Sequence, residues 1–187
     1  MKYATFWQRF GAGWIDFFVM LPAIVLFGWL ATQSLMLAYL VALPSNLMYW
    51  AYCYYLHAVS GQTIGKRVVG IRVVQLDGGR IDRPTSFRRS VVDLVFSILS
   101  VVGTFLALRT ISSIEYASLS WTEQTMRVQT VQSSLFRWVE YAAHAWVWSE
   151  VITVLFNHRR RAIHDYIAGT CVVTEATQTE ATSPANP

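Results

Sequence analysis

The sequence predicts an all-α membrane protein. Four transmembrane helices are expected, with a short β-hairpin-like segment on the cytoplasmic side between helices 2 and 3, and a polar extramembrane helical insertion between helices 3 and 4. Three observations carry this. Of 187 residues, 54% are hydrophobic and only 14% charged, against roughly 45–50% and about 25% in soluble domains, and the mean hydropathy is +0.36. The apolar residues gather in blocks of about 20, the length that crosses a hydrocarbon core as a helix. The basic residues stand between these blocks, where topology signals belong.

The first block, residues 11–31, follows Lys2 as a secretory signal would. It is long, however, and holds Asp16 and Pro22 with no convincing small-residue cleavage site after it, so it reads as a retained helix. Thr32-Gln33-Ser34 joins it to the second block, residues 35–56, a link short enough to force an antiparallel pair. The third block, 91–108, carries Asp93. The fourth, 138–156, carries Glu140, His144 and Glu150 and is the least apolar. Between the second and third, residues 61–79 combine a β-branched run with Asp77-Gly78-Gly79, a hairpin turn signal. Residues 112–134 interleave polar side chains with Leu119, Trp121, Met126 and Val128, as an extramembrane helix resting on the interface would. From Thr174 to Pro187 no large apolar residue occurs, so a disordered tail is expected after one transmembrane domain spanning 1–173.

Orientation follows from the basic residues. Lys2, Arg9, the seven from Lys66 to Arg89, and Arg159–Arg161 fall on one side; Arg109, Arg127 and Arg137 fall on the other. Four spans with both termini cytoplasmic, in a bacterial inner membrane, satisfy the positive-inside rule. The same distribution accounts for the net charge of +4 without nucleic acid. Cys53 and Cys171 lack metal-ligand spacing and no disulfide is expected between them. No cofactor, metal or catalytic nucleophile arrangement is indicated, so an enzyme is not expected.

Charges inside a span are the informative residues. Arg9 and Asp16 are seven apart, which puts them on nearly one helical face, roughly 10 Å apart along the axis. An ionised carboxylate at mid-membrane costs about 2.5–3.5 kcal/mol on insertion scales. Asp16 is therefore expected to line a polar site or ion path, to be capped by a residue of another helix or of the cytoplasmic segment, or to sit shallow enough to be solvated. Asp93, Glu140 and His144 are further candidates for a substrate or ion path, the last two sharing a face at i and i+4. Lys66, Arg67 and Arg72 are candidates for contact with anionic lipid head groups. The segment Gly61 to Arg67 superficially matches a nucleotide-binding loop. It has three residues between its glycines and Arg67 after the lysine, where the motif needs four and then Ser or Thr, so a nucleotide site is not expected. The aromatic cluster Tyr49-Trp50, Tyr52, Tyr54 and Tyr55 reads as an interfacial belt.

Several of these features recur together. Arg9 and Ile15-Asp16, then Gly61-Gln62-Thr63-Ile64-Gly65-Lys66 with Gly70-Ile71-Arg72, and then Ala162-Ile163-His164-Asp165 ending at Gly169, resemble in order the motifs of RDD-family membrane proteins. The resemblance covers about Tyr3 to Val173 and implies that Arg9, Asp16 and Asp165 are the defining arginine and two aspartates. It also implies a role in moving ions or small solutes. The polar insertion 112–134, Glu140 and Glu150 depart from the compact family pattern. Two hypotheses follow. One is a small transporter, assembling as a homo-oligomer or with a membrane partner, whose polar site surrounds Arg9 and Asp16. The other is a non-transporting scaffold or assembly factor in which these charges clamp the first helix to the C-terminal segment.

Overall fold

The computed structural model describes residues 1–157 and 159–175. In chain order the elements are α1 (Phe6–Gln33), α2 (Leu35–Ser60), α3 (Ile64–Val68), β1 (Ile71–Gln75), α4 (Arg83–Leu108), α5 (Ser113–Ser118), α6 (Trp121–Val131), α7 (Ser134–Phe156), α8 (Ile163–Ala168) and β2 (Thr170–Thr174). Helices α1, α2 and α4 are long and apolar enough to cross a membrane. Helix α7 has 23 residues, the length of a span, but Arg137, Glu140, His144 and Glu150 interrupt its apolar run.

Helix α4 begins at Arg83, ahead of the apolar block that starts at Val91. Asp82 precedes it as a cap, accepting from the Thr85 N–H at 2.8 Å, and Pro84 sits in the first turn, where its missing N–H costs nothing. This early start has a consequence for the expected hairpin, which does not form. The turn itself is present, with the Gln75 N–H donating to the Gly79 carbonyl at 2.9 Å and an isolated bridge between Val74 and Arg80. The chain then enters α4 before a second strand can extend. Strand β1 pairs instead with β2, antiparallel, in the register Ile71 to Thr174 through Gln75 to Thr170. The residues just before β1 are helical, because Thr63 caps α3 by accepting from the Lys66 N–H.

The chain divides into two compact units. The first comprises residues 1–19, 52–91 and the described residues from 147 onward. Here the N-terminus joins the sheet, Ala4 N–H donating to the Val172 carbonyl at 2.9 Å and Thr174 N–H to the Lys2 carbonyl at 3.0 Å. Ala4, Ala12, Ile71, Val73, Ile81 and Val172 form its core. Thr174, where a disordered tail was expected to begin, is thus the last residue of β2, and the rest of that expectation, residues 176–187, lies outside the described residues.

The second unit comprises residues 20–51 and 92–146. The polar insertion folds there as α5 and α6, two helices where one was expected, with Leu119 and Ser120 between them. Ser112 caps α5 by accepting from the Glu115 N–H. Tyr116 is buried with Ala38, Leu108 and Ile111, and its hydroxyl donates to the Ala31 carbonyl at 3.0 Å. Tyr116, Val128 and Val131 of the insertion therefore serve the core of this unit, while Trp121 and Met126 are exposed. Arg127 of the insertion pairs with Glu115 at 2.7 Å, and Glu123 accepts from the Ser120 N–H at 2.8 Å.

Candidate functional site

Asp16 lies in the part of α1 that belongs to the first unit, 2% exposed. Its carboxylate accepts three hydrogen bonds, from Thr63 Oγ1 at 2.6 Å, the Gly65 N–H at 2.7 Å and the Tyr52 hydroxyl at 2.6 Å. Tyr52 in turn accepts from the Ile64 N–H at 3.0 Å. The backbone amide of Gly65 reaches Asp16 because α3 lies directly on α1. A Cβ at Gly65 would stand 2.0 Å from the Ala12 carbonyl oxygen, so only glycine allows the approach.

Arg9 and Asp16 do not pair with each other. Arg9 turns instead to Asp165, donating from Nη1 to Oδ2 at 2.9 Å. Seven-residue spacing gives a shared face but not a contact, and each charge finds a partner brought in by another segment. Asp165 is fully buried. Besides Arg9 it accepts from Arg89 Nη1, from Thr170 Oγ1 at 3.1 Å and from the Ala162 N–H at 3.0 Å. Burial alone would push its pKa up. The charges of Arg89, His164 and Arg9 outweigh that and hold it well below the usual carboxylate range.

The network continues outward. Arg89 Nη2 lies 2.6 Å from His164 Nε2, and His164 Nδ1 lies 2.5 Å from Glu150 Oε2. Two guanidiniums thus alternate with two carboxylates, with His164 linking Arg89 to Glu150. Arg161 closes the far side, donating to the Thr170 and Asp165 carbonyls at 2.9 Å each with its guanidinium 4.0 Å above the Tyr166 ring. Lys66 turns inward, its Nζ 2.9 Å from His57 Nε2. Burial first, and the Arg89 charge second, lower its pKa to about 8. Of the three basic residues expected to face lipid head groups, Lys66 is thereby engaged inside the unit, whereas Arg67 is exposed and Arg72 pairs with Glu175 at 3.0 Å. The motif glycines Gly61, Gly70 and Gly169 all have positive φ.

Chemically this is a lock. Asp165 is held ionised by two guanidiniums in a site closed to water, and Asp16 has three donors. The residues that complete both, Tyr52, Arg89, Thr170, Arg161 and Glu150, were not identified as site residues from sequence. In the sequence Arg89 enters only the orientation count and Tyr52 only the aromatic belt, and nothing local marks either as a partner of a residue dozens of positions away.

The other expected path residues belong to the second unit. Asp93 accepts from Trp146 Nε1 at 3.0 Å, Glu140 accepts from Ser100 Oγ at 2.8 Å, and His144 Nδ1 lies 2.7 Å from the Glu140 carbonyl oxygen. Glu140 and His144 line a cavity of about 670 Å³ whose wall also includes Asn46, Gln124, Gln129, Gln132 and Arg137 among apolar side chains. The Gln124 amide nitrogen donates to the Tyr116 carbonyl, while its buried oxygen has no hydrogen-bond partner among the described residues.

Long apolar helices, and a polar cluster that ties the N-terminus, the segment between α2 and α4 and the C-terminal segment together, define a multi-pass helical membrane protein. The family model described as RDD family matches residues 3–169, and the chain belongs to that family. Over 115 residues it is 34% identical to a Bacillus subtilis (strain 168) protein named "Uncharacterized protein YckC", covering 57% of this chain and 70% of that one. No solved structure matches the chain.

Proposed function

We propose that this chain is a non-enzymatic inner-membrane protein with four spans and both termini cytoplasmic, which admits a small polar solute to the cavity of its second unit. In this reading Arg9, Asp16 and Asp165 hold the fold and carry no substrate. The fourth span is supported by connectivity. In the first unit β1 pairs with β2, Arg9 and Arg89 both bond Asp165, and Ala4 bonds Val172. The N-terminus, the α2–α4 connection and the C-terminal segment must therefore share one side of the membrane. Since α4 leaves that side, α7 has to return to it.

The observation that carries the solute reading is the cavity. Its volume of about 670 Å³ falls in the range of roughly 300–1,000 Å³ typical of small-molecule sites, and carboxamides, Glu140 and His144 stand among its apolar walls. This keeps two of the residues expected to line a path and moves the site away from Arg9 and Asp16. The test is vesicle reconstitution, with entry of glycerol, sorbitol and glutamine followed by osmotic swelling and Na⁺, K⁺ and proton flux by dyes. Faster entry of a polar solute is expected with the wild type. Gly28→Leu should reduce it, because Gly28 lines the cavity and a Cβ there meets no atom within 4 Å. Asp16→Asn should lower accumulation of the protein while leaving flux per folded molecule unchanged. The saturated bonding of Asp16 and Asp165 favours the second reading, a non-transporting scaffold, and absence of every flux from folded protein would establish it over the first.

A further inference from the structure

The first unit holds a second cavity, of about 370 Å³, lined by Arg67, Arg72 and Arg80 together with Gly61, Gln62 and Glu175. Gly61 shapes it. At φ +69°, a Cβ would stand 2.9 Å from the Val73 carbonyl oxygen and 3.3 Å from Arg72 Cγ, so the missing side chain is what lets the Arg72 stem lie against the backbone. Arg72 Nη2 donates to Glu175 Oε1 at 3.0 Å and to Gln62 Oε1 at 3.2 Å. Its Nε is buried with no hydrogen-bond partner among the described residues. Three guanidiniums against one carboxylate leave this wall strongly cationic. We infer that the pocket between α2 and β1 binds a phosphate group through Arg67, Arg72 and Arg80.

The recognition differs from that of a nucleotide-binding loop, whose spacing this segment lacks. There backbone amides cradle the phosphate, whereas here planar guanidinium forks match its oxygens. The Glu175 carboxylate lies on one edge of Arg72 as a phosphate oxygen would, and so competes with the ligand. Val59 and Ser60, at the end of α2, also line the pocket, so in the proposed topology it lies next to the membrane surface. The phosphate is therefore either that of an anionic lipid or a free phosphate from the aqueous phase.

The full chain in nanodiscs separates these sources. In one arm, inorganic phosphate is titrated against protein in phosphatidylcholine discs and the unfolding temperature is read; in the other, phosphatidylglycerol replaces part of the phosphatidylcholine. Stabilisation by inorganic phosphate in the first arm supports the pocket and assigns a free phosphate, and stabilisation in the second arm alone supports it and assigns the lipid. Arg72→Gln is expected to weaken the response roughly tenfold and Glu175→Gln to strengthen it by a similar factor, as loss or gain of one charge-assisted contact would. A purely structural Arg72–Glu175 pair would not move binding in opposite directions. If Arg72→Gln fails to accumulate, exposed Arg80→Gln takes its place. No response in either arm, or a response that all the variants share equally with the wild type, overturns the proposal.

Discussion

The residue that decides most is Asp165. Its carboxylate is enclosed, bonded by two guanidiniums, a hydroxyl and a backbone amide. Breaking one side of such a cluster leaves buried charge uncompensated, at a cost of roughly 3–5 kcal/mol. Asp165→Asn keeps the shape and removes the charge, so unfolding of the purified protein should show a loss of that order at pH 7. Because the folded-state pKa is depressed, the stabilisation is complete above the unfolded-state value of about 3.9 and is lost progressively as pH falls from there toward the folded-state value. The difference between wild type and variant should accordingly narrow from about pH 4 downward. A difference that stays constant from pH 7 to pH 3 would show that the charge is not what Asp165 contributes. Asp165 was legible as a candidate through its motif. That Arg89 is its second cation was not, since no local spacing links the start of α4 to α8.

Among elements, the long helices were the most legible, because a span is specified by some 20 consecutive residues of its own sequence. Their ends were not, since capping by Asp82 and Thr63 adds polar residues to helices that hydropathy alone starts later or misses. The sheet was misassigned for a related reason. Asp77-Gly78-Gly79 does make a turn, but a strand's partner is a property of the whole chain, and β2 lies almost a hundred residues beyond β1. The packing of α3 on α1 was equally hidden, since nothing in the sequence around Gly65 marks its close approach to Ala12. That contact gives a ranked expectation. Gly70→Ala meets no atom within 4 Å and suffers only from its φ of +66°, worth roughly 1–2 kcal/mol. Gly65→Ala must push α3 off α1 and pull an amide from Asp16. Thermal unfolding should place Gly65→Ala well below Gly70→Ala; the reverse order would mean that α3 and α1 do not pack as described.

For the whole molecule, the sheet and the Asp165 cluster act as a topological constraint, because segments that hydrogen-bond to one another cannot lie on opposite faces of a bilayer. An even number of crossings is then needed between β1 and β2, and in the proposed topology α4 and α7 supply it. The polar groups of α7 do not oppose this. Glu140 is met by Ser100 and Glu150 by His164, so neither is left bare in the way that hydropathy counts it. The prediction concerns accessibility to a membrane-impermeant maleimide, in a background with Cys53 and Cys171 replaced by alanine. Ser118→Cys, exposed in α5, should be modified in intact spheroplasts. Asp77→Cys in the turn after β1 and Arg159→Cys after α7, both at exposed positions, should react only once the membrane is opened. If Arg159→Cys were modified from outside while Asp77→Cys stayed protected, α7 would not cross, and the pairing of β1 with β2 could not persist in the membrane.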